Sequence, residues 1–237
     1  MLRVQKFLSM TGIESRRKCE QSIISGEVKI NGIVAKLGDK VKFNDVVTIG
    51  RKKIQFTESV LNFDRKILVY HKKIGQIVST RTKKVKDTVF DRLPKIDEKW
   101  INIGRLDVMT SGLILFTNDG NLAHRLTHPS SNIKRTYLAK ISNEISKHAK
   151  NLSISGVDIG RGQIGRFSEF TEYKKEDRVY EVSLYTGKNR EVRRIFSALQ
   201  YEVQSLKRIS FGNIDLGRLK YGDYRLLNRK EISLLLD

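Results

Sequence analysis

Cysteine occurs once, at Cys19, and proline only twice in 237 residues. A single cysteine cannot form a disulfide within the chain and excludes a cysteine-rich metal site. No run of about 18 apolar residues is present, so no segment reads as a spanning helix. The opening Met1-Leu2-Arg3-Val4-Gln5-Lys6-Phe7 does not have the form of a signal peptide, because charge interrupts the would-be apolar region. The cytoplasm is the expected compartment. Histidine is also scarce, and the four present (His71, His124, His128, His148) lack metalloprotease spacing. His124 and His128 stand four apart on a predicted helix, a weak ligand pattern for which solvated side chains are the ordinary reading. Acid is in short supply: 26 Asp and Glu face 46 Lys and Arg, for a net charge of +20 and a pI near 10.0. Such a balance calls for a polyanionic partner bound through counterion release, although an anionic membrane surface also attracts a basic chain.

What is present reads as globular and rich in charge, with 39% apolar and 30% charged residues. The length suits one large domain, or a small one followed by a medium one. Residues 1–58 form the first candidate. Val4, Phe7 and Leu8 fall at i, i+3, i+4 and predict a short amphipathic helix ending at Thr11-Gly12. Ser15 has the character of an N-cap, and Cys19, Ile23 and Ile24 line the predicted apolar face of a second helix closed by Ser25-Gly26. Val28-Lys29-Ile30, Asn31-Gly32, Ile33-Val34 is a hairpin with a type I′ turn, and Asp45 to Ile49 supplies another strand. Arg3, Arg16, Arg17, Lys18 and Lys29 are candidates for one RNA-binding face; isolated charges at helix starts are otherwise merely solvated. The phrases Arg3-Val4-Gln5-Lys6-Phe7-Leu8, Ser15-Arg16-Arg17-Lys18 and Gly26-Glu27-Val28-Lys29-Ile30-Asn31-Gly32 resemble the S-four-type RNA-binding domain, or α-L motif. A DNA-binding helix-turn-helix is the rival, and the hairpin directly after the second helix counts against it.

Residues 50–64, with Arg51-Lys52-Lys53, read as a linker, and a second domain spans 62–237. Strands are predicted at Lys66–His71, Gln76–Thr80, Ile101–Ile103, Gly112–Thr117, Lys134–Ile141, near Ile164–Tyr173, at Val179–Tyr185, Ser205–Phe211 and Tyr224–Leu227. Helices are predicted at Asn121–Leu126, Ile145–Leu152, Glu191–Leu199 and Lys230–Leu236. Arg81 to Lys86 is a basic loop, either disordered or gripping RNA. Many antiparallel-looking strands with interspersed helices define an α+β class.

Three segments carry chemistry. In Gly104-Arg105-Leu106-Asp107, two glycines (Gly104 and Gly112) bracket a polar turn that ends at an apolar strand, and they permit positive φ or close backbone approach. A carboxylate there can be a nucleophile, a base or a metal ligand, whereas a turn or capping role is usual for an aspartate so placed. Asp119 lies beyond the apolar strand, roughly 20 Å away by strand rise, so a paired-acid site is disfavoured. In Thr136-Tyr137-Leu138, Tyr137 is an ordinary strand residue by default, yet its ring could stack on an extruded base. In Gly187-Lys188-Asn189-Arg190-Glu191-Val192-Arg193-Arg194, cations open a predicted helix and oppose its dipole, which suggests phosphate binding or pairing with a buried acid. Arg193 is the best partner for Asp107.

These three segments, and above all Gly104-Arg105-Leu106-Asp107 through Asp119-Gly120, resemble the pseudouridine synthases of the small-subunit rRNA type. The resemblance covers most of the chain, because an S-four-type domain ahead of the catalytic domain is that family's architecture. It implies a mixed, mostly antiparallel sheet in the second domain and isomerisation of a uridine in ribosomal RNA. It puts the nucleophile at Asp107, the ring that stacks on uracil or moves a proton at Tyr137, and the basic partner of the aspartate at Arg193. Arg105, Arg190 and Arg194 become RNA-contact candidates. It implies no cofactor, no metal and no membrane partner, and a monomer is expected. The 187–194 segment is nearest the subgroup acting on large-subunit rRNA; small-subunit rRNA remains the alternative substrate. A non-catalytic RNA-binding assembly factor would explain the charge equally well, but not the three residues together. One departure is Lys72-Lys73-Ile74-Gly75, where the family commonly has Lys-Pro-x-Gly. Loss of the proline should loosen that turn.

Overall fold

The structure, a computed structural model, describes residues 1–13, 15–58, 64–79, 87–96 and 98–236. The basic loop at Arg81 to Lys86 and residues 59–63 of the expected linker lie outside the described residues. The chain divides into two compact units. One comprises Met1–Arg65 with Lys95–Lys99 and Asn118–Gly120; the other holds the remainder.

In the first unit, β1 (Leu2–Arg3) leads into α1 (Val4–Met10), and α2 (Arg16–Ile24) follows. The Ser15 side chain accepts a hydrogen bond from the Lys18 amide and caps α2 as its sequence predicts. Strands β2 (Val28–Ile30) and β3 (Ile33–Val34) form the expected hairpin, with Asn31 and Gly32 at φ 50° and 87°. The Asn31 amide locks that turn to the next strand: its Nδ2 donates to Asp45 at 2.9 Å, and its Oδ1 accepts from the Val46 amide at 2.8 Å. β4 (Lys40–Val41) pairs with β1, and β5 (Val46–Ile49) pairs with β2. Two expectations fail here. Lys52–Gln55 is not linker but β6, an antiparallel partner of β5; its lysines face out and its backbone completes the sheet. Ile24 is 75% exposed, because the last turn of α2 rotates it away from the core that takes Val4, Phe7, Leu8, Cys19 and Ile23.

The second unit is built on a nine-stranded mixed sheet. Its strands are β7 (Ile67–Lys72), β8 (Ile101–Ile103), β9 (Ser111–Thr117), β10 (Arg135–Ile141), β13 (Glu169–Lys174), β14 (Val179–Leu184), β15 (Val203–Phe211), β16 (Ile214–Asp215) and β17 (Tyr224–Leu226). The main path runs β13-β14-β10-β15-β9-β7-β17, with β8 on β9 and β16 on β15. Among the described strands of this sheet every pairing is antiparallel except β15 with β9. The short strands β11 (Val157–Asp158) and β12 (Ile164–Gly165) pair with each other. Helices α3 (Gly120–Thr127), α4 (Lys147–Ser155), α5 (Glu191–Ala198) and α6 (Arg229–Leu236) pack around the sheet.

β7 and β9 are buried along their whole lengths, so apolar residues occupy both faces and give two cores. One core gathers Leu68, Tyr70, Ile114, Phe116, Val182 and Phe196; the other gathers Ile67, Val69, Leu113, Leu115, Leu126 and Phe211. Each such side chain contributes roughly 1.5–3 kcal/mol by leaving water. The strand expected over Gln76–Thr80 does not form among its described residues: Ile77 makes one isolated bridge to Thr88, and Gln76 is drawn into side-chain bonding instead.

Candidate active site

The aspartate sits in a loop between β8 and β9. Gly104 turns the chain with φ 72°, its carbonyl accepting from the Asn102 side-chain Nδ2 at 2.7 Å. Leu106 anchors the loop in the core, and the Thr110 amide donates to the Asp107 carbonyl at 3.0 Å to close a turn. Gly112 then allows the one parallel pairing. A Cβ there would stand 2.2 Å from the Arg208 carbonyl oxygen of β15, and its φ of 106° is one that other residues rarely adopt. Both bracketing glycines therefore do what their positions in the sequence predict.

Two cations hold the loop by its carbonyls. Lys72, at the end of β7, is fully enclosed at 0% exposure. Its ammonium donates toward the carbonyls of Lys73, Asp107, Val108 and Thr110 at 2.9–3.2 Å. Burial pushes the group from 10.5 down to about 8, against an opposing pull from the charges of Asp107 and Asp87. Arg193, on α5, takes the carbonyl that Lys72 leaves: its Nη2 donates to Met109 at 2.8 Å, and its Nη1 donates to Val203 at 2.8 Å. Burial lowers the Arg193 guanidinium from its ordinary value, Arg190 adds to that, and Asp107 opposes it. Among the described residues no direct hydrogen bond or ion pair joins Arg193 to the Asp107 carboxylate; the two interact by charge through space.

The turn before the loop, where the family commonly has proline, is held by hydrogen bonds. Lys73 has an amide hydrogen that proline lacks, and it donates to Gln76 Oε1 at 3.0 Å. The same Gln76 oxygen accepts from the Tyr70 hydroxyl at 2.8 Å, and the Gly75 amide donates to the Val108 carbonyl at 2.9 Å. Lys73 thus makes a part-buried backbone hydrogen bond that a proline there could not make.

Asp107, Arg105, Tyr137 and Arg190 line one cleft of about 820 Å³, joined by Arg135 and Arg208. Tyr137 is 9% exposed on β10, opposite Val182 of β14 and Arg208 of β15. Arg193 borders a smaller neighbouring hollow with Arg190 and Tyr201. The cations at the start of α5 do not face its dipole unaided. Glu191 is buried in the first turn, accepting from the Thr186 hydroxyl at 2.6 Å and the Lys188 amide at 2.9 Å. Arg194 spends its guanidinium inside the chain, on the carbonyls of Ile159 and Gly160 and on Gln163. That ties the β11–β12 hairpin to α5 and leaves its donors engaged. Asp119 is paired with Arg65 at 3.0 Å. In the first unit Arg3, Arg16, Arg17, Lys18 and Lys29 are all exposed, with Arg16 3.7 Å from Glu20 one turn on.

Lys72, Arg135 and Arg208 were not singled out by sequence reasoning. The available signal for Lys72 was the family's Lys-x-x-Gly phrase. Among the described residues no group of three or more His, Cys, Asp or Glu could hold a metal ion, and no helix is long and apolar enough to cross a membrane.

A carboxylate held by its backbone, an aromatic ring and basic side chains in one cleft define a site for handling an anionic substrate. The chain belongs to the RNA pseudouridylate synthase family, whose sequence pattern matches residues 66–198, and an S4 domain pattern matches residues 2–47. It is 37% identical over 98% of its length to a protein of Vibrio vulnificus named ribosomal large subunit pseudouridine synthase B, covering 74% of that protein. It is 36% identical to the Pseudomonas aeruginosa protein of the same name, again over 98% of this chain but spanning only 61% of that relative. A crystal structure described as a pseudouridylate synthase superposes with a TM-score of 0.70 at 25% identity, covering 99% of this chain and 100% of the other. The expected family, domain order and α+β fold with a mixed, mostly antiparallel sheet are thereby borne out.

Proposed function

We propose that this protein isomerises a uridine of large-subunit ribosomal RNA to pseudouridine, with Asp107 as the nucleophile. The observation that carries the reading is the bonding of the 107–110 loop. Lys72 and Arg193 take its four successive carbonyls, so the Asp107 side chain is positioned without either of its oxygens being tied down by a described residue. The target nucleotide leaves its stack and enters the cleft. The carboxylate acts at the anomeric carbon as the bond from that carbon to N1 of uracil breaks. The freed ring turns and bonds through C5 to the anomeric carbon, which releases the carboxylate; N1 takes a proton and C5 gives one up, so the product is an isomer of the substrate. Tyr137, at the cleft wall, stacks on the ring or moves that proton, and Arg193 holds the loop. The exposed cations of residues 1–58 supply phosphate contacts. The names of the relatives support large-subunit over small-subunit rRNA. A purely RNA-binding role gives no reason for an aspartate so held beside Tyr137.

Mapping pseudouridines in rRNA from cells with and without the gene tests the reaction and finds the uridine. Asp107→Asn tests the residue: asparagine keeps the volume and the turn bonding but offers no anionic oxygen. Pseudouridine formation should vanish while folding and RNA affinity persist. Retained turnover would overturn the assignment.

A further inference from the structure

Two guanidinium groups in the cleft lack a counter-ion among the described residues. Arg208 is 2% exposed, on β15. Its Nε donates to the Leu113 carbonyl at 2.7 Å, and its Nη2 is enclosed with no hydrogen-bond partner among the described residues. Arg135, on the neighbouring strand β10, uses Nη1 on the carbonyls of Ile133 and Tyr185 at 2.7 and 2.6 Å. Both guanidiniums pack on the Phe211 ring, their carbons 5.1 Å (Arg135) and 5.4 Å (Arg208) from its centroid. Burial lowers the Arg135 guanidinium from its ordinary value, Tyr137 and Glu191 work against this, and the Arg208 charge adds to it.

No carboxylate among the described residues touches either group. Glu191 is committed to the Thr186 hydroxyl and the Lys188 amide, and Glu169 is on Lys134. Enclosing one guanidinium beside a second, half-buried one without an anion is costly, and the Arg208 donor left unbonded in the interior adds to that cost. The arrangement makes physical sense when an anion enters from the cleft. A guanidinium fork matches the paired oxygens of a phosphodiester, and the ring beneath both groups fixes their planes.

We propose that Arg135 and Arg208 form a subsite for one backbone phosphate of the RNA strand, beside the nucleotide that reaches Asp107. This rests on the reading of the cleft as an RNA site, but not on the chemistry performed there. The test is made in Asp107→Asn protein, so that the RNA is not altered during binding. Affinity for a transcript of large-subunit rRNA is measured across salt concentrations, with and without Arg208→Gln, whose amide can still reach the Leu113 carbonyl. Arg135→Gln, at the more exposed member, gives a second reading should Arg208→Gln fail to fold, which a thermal melt reveals. Each variant should bind about 5–10-fold more weakly, and the slope of log affinity against log salt should flatten by roughly 0.7–0.9, the value of one phosphate contact. A short synthetic RNA that competes with the transcript then carries single uncharged methylphosphonates at successive positions. One position should cost the parent protein the same loss and cost the glutamine variants nothing further. Unchanged slopes in folded variants, or equal losses at every position in parent and variant alike, would overturn the subsite. Absence of pseudouridine in the rRNA would instead strike the reaction and leave this result standing.

Discussion

Lys72→Met removes the ammonium under the Asp107 loop while keeping an unbranched side chain in the same enclosed space. The ammonium has three donors spread over four carbonyls. Charge-assisted bonds of this kind contribute roughly 1.5–2 kcal/mol each, so about 5 kcal/mol is lost with them. Against this, titration near 8 rather than 10.5 means that the site as a whole, enclosure less the pull of Asp107 and Asp87, disfavours the charged form by about 3 kcal/mol, a cost that methionine relieves. The net expectation is destabilisation of about 2 kcal/mol, concentrated in the loop, with turnover down by about ten- to a hundredfold as Asp107 loses its fixed position. Below about 8 the amine is protonated in both folded and unfolded chains, and its burial cost is fully present. Between about 8 and 10.5 the folded chain has released the proton and the unfolded chain has not, so stability rises with pH across that window. Turnover should fall over the same window, because a neutral amine has one donor fewer and no charge opposite Asp107. Opposite trends in melting temperature and single-turnover rate, both absent from Lys72→Met, are the expected signature. A variant with the parental rate and the parental alkaline limb would refute the reasoning.

Gly112→Ala should destabilise the second unit by at least about 3 kcal/mol in urea unfolding, because its Cβ meets the Arg208 carbonyl and its φ is strained for alanine. Arg193→Ala strips donors from the Met109 and Val203 carbonyls, at about 1–3 kcal/mol for each one left unsatisfied. Because Lys72 holds the same loop, Arg193→Ala and Lys72→Met should be non-additive by about 0.5–3 kcal/mol in a double-mutant cycle on stability, and additivity would mean the two cations act separately. Replacing exposed Arg16, Arg17 and Lys18 together with glutamine should leave melting nearly unchanged and flatten the salt dependence of RNA binding by up to about 0.9 for each phosphate that the variant no longer neutralises; an unaltered slope would make those charges solvation only.

The elements with strong local signals were legible in the sequence. The cap at Ser15, the Asn31-Gly32 turn and the apolar run into β9 each rest on chemistry contained within a few residues. Asp107 and Tyr137 stood out and do share a cleft. What was missed depends on distant partners. A lysine ending a strand reads as solvated, and Lys72 is enclosed only because the loop after β8 wraps its ammonium. β6 reads as linker because its residues are polar, although what makes it a strand is the free edge of β5. Arg135 and Arg208 fall on separate strands and meet only through the β10–β15 pairing. Arg194 looks like a phosphate ligand, but the carbonyls it bonds belong to a hairpin more than thirty residues earlier.

Arg193 illustrates a general point about how charge is used here. Sequence reasoning joins it directly to Asp107, since an arginine near a lone acid invites an ion pair. A direct bidentate pair would occupy one lone pair on each oxygen of the carboxylate that we propose as the nucleophile. The structure separates the two tasks. Met109, two residues beyond the aspartate, gives its carbonyl to Arg193, and Lys72 holds the carbonyls on either side. Both cations still attract the Asp107 charge through space. The loop is thus fixed by its backbone, whose carbonyls have no part in the chemistry, and the side chain stays available. The same economy explains why so basic a cleft works with so little acid: cations that bind carbonyls remain positive toward solvent and so toward phosphate, whereas cations paired with carboxylates would be neutralised before RNA arrived.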